Sequence, residues 1–288
     1  MNNKGTYFST KRTINSNGCL LAIDIPIVMG IINISPDSFY TNSFVSDAQS
    51  ALAITNRMIK QGASIIDIGA CSTRPGATIV TDKEEKKRLE PILYEIRNIH
   101  PDVIISLDTT HASIADWAVN KYKISIINDI SAGEIDSAMF STIAELKVPY
   151  ILMHMQGIPE NMQHKTDYKN LTADILKWFS EKIYKLRSLG VNDIIIDPGF
   201  GFGKTLEQNY CLLNQLDLFQ SLELPILIGV SRKSMIYKLL NIEPENALNG
   251  STVIHTIALQ KGASILRVHD VKEAVETINI CMKLNEPV

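Results

Sequence analysis

Short apolar runs rich in β-branched residues recur along the chain, each followed by a polar or glycine-containing turn and then a longer segment with helical spacing. Polar and apolar positions hardly alternate within these runs, which is typical of strands covered on both faces in a parallel sheet. We therefore predict eight strands, at residues 27–32, 64–68, 103–107, 124–127, 149–153, 193–196, 225–228 and 263–266.

Helical spacing predicts nine helices between and after these strands, at residues 47–61, 83–99, 112–121, 137–145, 171–189, 206–216, 234–240, 251–261 and 271–284. Alternating strands and helices with right-handed connections give an α/β protein, and eight such units close into a (β/α)8 TIM barrel. An open, doubly wound sheet is the alternative. Because no linker-like segment divides the chain, we expect one barrel domain at residues 25–288 and a short N-terminal extension at residues 1–24, as a hairpin or a cap over the barrel bottom.

The composition excludes several classes of protein. Of the 288 residues, 45% are hydrophobic and 20% are charged, and the formal net charge is −3, so a disordered tail, a collagen-like fibre and a disulfide scaffold are excluded. A mildly acidic chain has no general attraction for nucleic acid, and no apolar stretch is long enough to span a membrane, so we expect neither partner. The four cysteines lie far apart in sequence, which favours reduced thiols in a cytoplasmic protein.

Polar side chains stand at or just after the carboxyl ends of the predicted strands. They are Asn33, Asp67 with Ser72, Thr73 and Arg74, Asp108, Asn128, His154, Asp197, Ser231, Arg232, Lys233, Arg267 and His269. In a barrel these ends meet at one mouth, where the active sites of this fold lie, and the loops after the last two strands commonly hold phosphate. Since those two loops carry four of the basic residues, we expect an anionic, phosphorylated substrate.

Three of these residues allow several kinds of chemistry. Asp108 and Asp197 would suit a general acid and base, or a metal site with two carboxylates, if the fold brings them together. With Asn128 they would also suit a heterocycle that presents N–H donors, because a carboxylate only accepts whereas an amide both donates and accepts. His154 is equally compatible with a catalytic base and with a buried core histidine.

The glycine-rich segment at residues 198–205 differs from a phosphate-binding P-loop. Pro198 stands where that motif requires its first glycine, and the glycines are misplaced for a dinucleotide-binding motif. We expect instead a flexible loop whose backbone approaches a ligand, with Lys204 in solvent or capping a helix.

Eight motifs follow one another between residues 27 and 280. They are MGIINISPDSF (29–39), GASIIDIG (62–69) with STRPG (72–76), ISLDT (105–109), INDIS (127–131), MHMQG (153–157), IIDPGFGFGK (195–204), GVSRKS (229–234) and LRVHD (266–270). Together they resemble the dihydropteroate synthase family, the pterin-binding TIM-barrel enzymes of folate biosynthesis. Two positions depart from the family pattern: Thr41 replaces an acidic residue in the first loop, and Cys71 replaces the glutamate before STRPG.

The resemblance implies a transferase that joins 4-aminobenzoate to (7,8-dihydropterin-6-yl)methyl diphosphate, releasing pyrophosphate and forming dihydropteroate. It implies that Asp108, Asn128, Asp197 and Lys233 bind the pterin, that Asn33, Thr73, Arg74, Arg267 and His269 bind the diphosphate, and that Phe39, Pro75, Ser231 and Lys233 bind 4-aminobenzoate. Lys233, Asp108, Asp197 and Arg267 are the implied catalytic residues, and the Asn33 oxygen would join Mg2+, which prefers oxygen ligands.

The family also suggests a homodimer formed through helices away from the mouth, and sulfonamide inhibition by analogy with 4-aminobenzoate. Two alternatives remain from the sequence. One is a methyltetrahydrofolate-binding domain of a corrinoid methyltransferase, which would not need the cationic motifs at residues 72–76, 229–234 and 266–270. The other is a non-catalytic paralogue that binds pterin only.

Overall fold

The computed structural model describes residues 13–16, 18–34, 44–45, 47–70, 80–157, 162 and 165–285. Its strands are β1 (Thr13–Ser16), β2 (Cys19–Ala22), β3 (Ile27–Ile34), β4 (Phe44–Val45), β5 (Ile65–Gly69), β6 (Ile105–Asp108), β7 (Ile126–Asp129), β8 (Tyr150–Met153), β9 (Ile194–Asp197), β10 (Leu227–Ile228) and β11 (Ile265–Val268). Its α-helices are α1 (Ala48–Lys60), α2 (Asp82–Ile99), α3 (Ala112–Tyr122), α4 (Met139–Leu146), α5 (Leu171–Ser188), α6 (Leu206–Asn214), α7 (Ser234–Leu240), α8 (Leu248–Gln260) and α9 (Val271–Asn285).

Eight parallel strands form the barrel in the order β10, β11, β3, β5, β6, β7, β8, β9. A parallel bridge between Ile196 and Ile226 joins the last strand to the first and closes the ring. The predicted (β/α)8 barrel is therefore confirmed, and each predicted strand is present. Most strands extend one or two residues further toward the carboxyl end than the apolar runs, because polar residues such as Asn33 and Asp108 still belong to the ladder.

The barrel interior is apolar at the amino ends of its strands. Nine buried side chains meet there: Ile14, Ile23, Met29, Ile65, Ile126, Ile151, Ile195, Leu227 and Ile265. Ile14 belongs to β1 and Ile23 follows β2, so the antiparallel β1–β2 hairpin contributes to this layer. The backbone N–H of Asn15 also donates to Asp193 Oδ1 at 3.0 Å, just before β9. The division at residues 24 and 25 stays a prediction.

The helices pack around the barrel and bury a second, larger apolar layer between themselves and the strands. Helix α6 begins with a capping box, in which the Thr205 side chain accepts from the Gln208 N–H and the Gln208 side chain accepts from the Thr205 N–H. Helix α8 begins at Leu248, three residues before the predicted start, after a 3-10 turn at Pro244–Asn246. Among the described residues, no helix is both long and apolar enough to cross a membrane.

Candidate active site

Adjacent strands place a row of polar residues at the mouth of the barrel. Asn33 on β3 is in register with Gly69 on β5, Gly69 with Asp108 on β6, and Asp108 with Asn128 on β7. A Cβ atom at Gly69 would lie 3.1 Å from Asp108 Cβ. Gly69 therefore leaves the space that the Asp108 side chain occupies.

Arg267 links the carboxylates of this row. It is in register with Met29, below the mouth, and its long side chain reaches up to donate from Nε to Asp67 Oδ2 at 2.7 Å and from Nη2 to Asp108 Oδ2 at 2.9 Å. The Asn128 amide donates to both Asp67 oxygens at 3.2 and 3.3 Å. Asp67 is completely buried, so its charge depends on these two partners.

The electrostatic balance around Arg267 decides the state of Asp108. Burial raises the pKa of Asp108 to about 7; Arg267 lowers it again in part, while the nearby Asp67 raises it further. Burial alone would lower the pKa of Arg267, but the two carboxylates raise it overall, so the guanidinium stays charged. Since two carboxylates share one guanidinium, Asp108 exchanges a proton near neutral pH and can both accept and donate hydrogen bonds.

Asp197 and Lys233 converge on the other side of the mouth. A Cβ atom at Gly229 would lie 3.9 Å from Asp197 Oδ2, 3.9 Å from Lys233 Nζ and 4.0 Å from Arg267 Cδ, so three charged side chains surround one glycine. Lys233 Nζ donates to the Phe200 carbonyl at 2.6 Å. Burial raises the pKa of Asp197, and burial lowers the pKa of Lys233 to about 8.

Comparisons with known proteins assign the chain to a family. The model of the pterin binding enzyme family matches residues 29–269. The chain is 41% identical over 267 residues to the dihydropteroate synthase of Escherichia coli K12, covering 92% of this chain and 94% of that protein. It is 40% identical over 256 residues to the dihydropteroate synthase of Synechocystis, covering 88% of each chain. The chain belongs to the dihydropteroate synthase family.

Solved structures of dihydropteroate synthases agree with this assignment. The Yersinia pestis enzyme in a sulfonamide drug complex aligns with a TM-score of 0.90 and 39% identity, covering 95% of this chain and 99% of that one. The Xanthomonas albilineans enzyme with 4-aminobenzoic acid aligns with a TM-score of 0.88 and 34% identity, covering 97% and 100%. The resemblance found in the sequence is confirmed: the protein is a transferase of this family, and the corrinoid methyltransferase alternative loses its support.

Two of the four basic residues expected at the mouth do not supply a positive charge there. The Arg232 guanidinium makes two hydrogen bonds to Asp270, at 2.8 and 2.9 Å, and donates to the carbonyls of Pro244 and Glu245. Burial, reinforced by Arg267, lowers the pKa of His269 to about 4, so its ring is neutral at pH 7. Lys233 and Arg267 are therefore the cations that the last two strands bring to the described part of the mouth.

His154 and Lys204 lie behind the mouth and contact each other. Both are buried, and Lys204 Nζ lies 3.1 Å from His154 Nδ1. Burial, together with Lys204, lowers the pKa of His154 well below its usual range, and the Trp178 ring packs edge-to-face with the His154 ring at a centroid distance of 5.0 Å. The geometry favours a neutral core histidine over a catalytic base. The expectation that Lys204 lies in solvent or caps a helix is wrong.

Asp67 is the residue to which the sequence assigned no role. It stood in the set of strand-end polar residues, but nothing in the local pattern indicated a partner 200 positions away. The useful signal was physical: a carboxylate within a strand predicted to be buried requires a cation, and Arg267 lies in another strand of the same barrel.

The remaining predicted residues have different outcomes. Phe39, Thr73, Arg74 and Pro75 lie outside the described residues, as do Thr41 and Cys71. Ser231 is buried beside the mouth, where its Oγ accepts from the His269 N–H at 3.3 Å. Asn33 is partly buried at the end of β3. Within the described residues, no group of three or more His, Cys, Asp or Glu side chains could hold a metal ion.

Proposed function

We propose that the protein condenses (7,8-dihydropterin-6-yl)methyl diphosphate with 4-aminobenzoate to give 7,8-dihydropteroate and pyrophosphate, a step of folate biosynthesis. The observation that carries this proposal is the convergence of Asp108, Asp197, Lys233 and Arg267 at the barrel mouth. The family to which the chain belongs supports the same reaction.

The pterin matches the hydrogen-bonding capacity of the mouth. A pterin ring presents N–H donors together with ring-nitrogen and carbonyl acceptors. Asp108 and Asp197 would accept from the donors, Asn128 would both donate and accept, and Lys233 would donate to an acceptor. Because Asp108 has a pKa of about 7, it can adapt its protonation to the ring.

The diphosphate would lie beside the pterin, above Arg267. This guanidinium would stabilise the negative charge that develops on the leaving group, while the neutral His269 ring would donate a hydrogen bond rather than contribute charge. We keep Thr73 and Arg74 as further diphosphate ligands, on the grounds of the sequence motif alone.

Mg2+ would bind at Asn33, whose amide oxygen is a suitable donor for a hard cation. Asp67 and Asp108 are already engaged by Arg267, and Asp197 accepts from the Gly199 N–H, so the remaining ligands would be diphosphate oxygens and water, which Mg2+ commonly retains. When bound, the ion would supply further stabilisation of charge on the leaving diphosphate.

The chemical step is a displacement at the methylene carbon of the pterin substrate. The amine nitrogen of 4-aminobenzoate forms a bond to this carbon, and the bond from the carbon to the diphosphate oxygen breaks, with its electron pair leaving on the diphosphate. The amine then loses a proton to solvent. We place the aminobenzoate against Ser231 and Lys233, with Phe39 and Pro75 as the family pattern implies. Asp108 and Asp197, the carboxylates that would bind the pterin, would stabilise positive charge on the pterin ring as this bond breaks.

Purified protein mixed with both substrates and Mg2+ tests the reaction, with pyrophosphate and dihydropteroate followed over time. We expect Lys233→Ala and Asp108→Ala each to lower turnover by about tenfold or more while the protein stays folded. Lys177→Ala is the control, because Lys177 is exposed on α5. No product that depends on 4-aminobenzoate, or wild-type rates in both mouth variants, would contradict the proposal.

We also propose a cytoplasmic homodimer. Large apolar side chains are exposed on the neighbouring helices α7, α8 and α9, namely Leu239, Leu240, Val253, Ile280 and Leu284. Light scattering tests the dimer: Ile280→Glu should yield monomers, whereas Tyr184→Glu, on the exposed face of α5, should not. The free thiols of Cys211 and Cys281 support the cytoplasmic location, and fractionation of cells tests it.

A further inference from the structure

Lys204 is a buried lysine to which the proposed reaction gives no role. Its side chain is 4% exposed, and Nζ donates to the Gly199 carbonyl at 2.9 Å, to the Phe202 carbonyl at 3.0 Å and to His154 Nδ1 at 3.1 Å. An ammonium group has three N–H donors, and each has an acceptor here. Such complete pairing is what allows an ammonium group to be buried, although burial still lowers the pKa of Lys204 to about 7.

The segment at residues 198–203, which we call the glycine loop, is wrapped around this ammonium. Gly199 has a φ of +72°, and a Cβ atom there would lie 1.9 Å from the His154 carbonyl oxygen, so only glycine fits. A phosphate-binding loop turns its N–H groups inward. In the glycine loop the carbonyls of Gly199 and Phe202 point inward instead, and the cation that they bind is the side chain of Lys204.

The glycine loop also contacts two residues of the proposed pterin site. The Gly199 N–H donates to Asp197 Oδ1 at 2.8 Å, while the carbonyl of the same residue accepts from Lys204. The next carbonyl, of Phe200, accepts from Lys233 Nζ at 2.6 Å. Lys204 therefore fixes the Gly199–Phe200 peptide group, which lies between the peptide group that binds Asp197 and the one that binds Lys233.

We propose that Lys204 is a positioning residue for pterin binding: it fixes the glycine loop so that Asp197 and Lys233 meet the pterin in one defined geometry. The inference rests on the proposed function, because it assumes that these two side chains bind the pterin. Lys204 does not touch the substrate. It acts through the backbone of the glycine loop and, at longer range, through its positive charge.

The charge has its own consequence for Asp197. Burial raises the pKa of Asp197, whereas Lys233, Arg267 and Lys204 lower it. Replacing Lys204 by a neutral residue removes one of these three cations. The carboxylate would then ionise at higher pH.

The test uses Lys204→Met and Lys204→Gln, with Lys261→Met as the matched control. Lys261 also donates to a backbone carbonyl, that of Asn214 at 2.6 Å, but it follows α8 at the opposite end of the barrel. Calorimetry measures binding of the pterin diphosphate without 4-aminobenzoate, and binding of inorganic pyrophosphate with Mg2+.

We expect Lys204→Met to weaken pterin diphosphate binding by about tenfold or more and pyrophosphate binding by less than about twofold. The KM for the pterin substrate should rise while the KM for 4-aminobenzoate stays within about twofold. The part of the pH dependence of pterin binding that comes from Asp197 should move to higher pH, and measuring it in an Asp108→Asn background separates it from the titration of Asp108. Lys204→Gln, which keeps an N–H donor group, should show a smaller loss. Lys261→Met should bind both ligands like the wild type.

The other outcomes contradict either the positioning role of Lys204 alone or the proposed function as well. Wild-type pterin affinity in Lys204→Met, or equal losses for pterin diphosphate and pyrophosphate, overturns the positioning role alone. Failure of both Lys204 variants to fold, judged by circular dichroism and gel filtration, overturns it too, because the lysine would then serve the barrel rather than the site. If the wild-type protein does not bind the pterin diphosphate, the proposed function fails and this inference fails with it.

Discussion

The two ends of the barrel interior are both buried but chemically opposite. At the bottom, side chains such as Ile65, Ile151 and Ile195 are fully removed from water and gain free energy by burial. At the mouth, Asp67 and Asp108 are removed from water almost as completely, and their burial is unfavourable unless a cation compensates it. The bottom therefore stabilises the fold, and the mouth holds a balanced set of charges in place for a ligand.

Two arginines show the same contrast. Near the bottom, Arg97 donates to backbone carbonyls of the turns there: Tyr122, His100, Pro101, Val103 and Lys123. Burial lowers its pKa. At the mouth, Arg267 binds two carboxylates, which raise its pKa despite burial. One guanidinium joins pieces of backbone, and the other sets the charge of a binding site.

Replacing Arg97 and Arg267 in turn by methionine should distinguish the structural role of the first from the binding-site role of the second, and we expect these substitutions to have the largest effects. Arg267→Met leaves Asp67 and Asp108 buried without their cation, which should lower the free energy of unfolding by about 3–5 kcal/mol. Turnover should fall by about a hundredfold or more. Arg97→Met should lower stability by about 1–3 kcal/mol through lost hydrogen bonds and leave turnover within about twofold. Urea unfolding and product formation measure both, and equal loss of activity in the two variants would contradict the comparison.

Truncating a buried apolar side chain at the bottom should lower the stability of the protein without changing its activity. Ile195→Ala removes a fully buried side chain, so we expect the free energy of unfolding to fall by about 2–5 kcal/mol. Under conditions where the variant is folded, its kcat and both KM values should stay within about threefold. Leu218→Ala, at an exposed apolar position, should change stability by less than about 0.5 kcal/mol. A large rise in KM for Ile195→Ala would show that the two ends are coupled.

The sequence predicts the bottom and the ring of polar positions well, because both follow from local pattern. Apolar runs locate the strands, and parallel strands bring their carboxyl ends together whatever the side chains are. Asp108, Asn128, Asp197, Lys233 and Arg267 could be placed at one mouth on this basis.

The pairing of charges within the mouth could not be predicted in the same way. It depends on strand register and on how far a long side chain reaches, as when Arg267 bridges two carboxylates or Arg232 turns away to Asp270. The burial of Lys204 depends on three acceptors that a folded loop brings together. None of these contacts is encoded within a short stretch of sequence.

The raised pKa of Asp108 predicts how pterin binding depends on pH. Its carboxyl group ionises at about 7 instead of near 3.8, so between these values the folded protein holds a proton that the unfolded chain has lost. The ionised carboxylate is the better acceptor for pterin N–H groups. Affinity should therefore rise by up to about tenfold per pH unit below 7 and level off above it.

Calorimetry in two buffers of different ionisation enthalpy would count the protons released on pterin binding. In Asp108→Asn the step near pH 7 should disappear, because the amide does not titrate in this range. The stability that depends on Asp108 should fall as the pH rises from about 4 to about 7, since ionisation in the buried site is unfavourable. Pterin affinity that is flat from pH 5 to pH 8 in the wild type would contradict this assignment.

Ser106 lies where the two ends meet and should give the smallest effect. It is in register with the polar Asp67 on one side and the apolar Ile126 on the other, and it is fully buried. Its hydroxyl has no hydrogen-bond partner among the described residues. Because an unpaired buried hydroxyl is unfavourable, Ser106→Ala should raise the free energy of unfolding by about 1 kcal/mol.

Ser131→Ala is the matched control for this substitution. The Ser131 hydroxyl donates to Asp129 Oδ1 at 2.7 Å, so its removal should lower stability by about 1–2 kcal/mol. Urea unfolding of both variants, with and without the pterin diphosphate, distinguishes two roles for Ser106. Higher stability with unchanged pterin affinity would show that the Ser106 hydroxyl only destabilises the folded barrel and has no role in pterin binding. If pterin affinity falls as well, the floor of the binding site extends one layer below Asp108, to the level that Ser106 shares with Ile126.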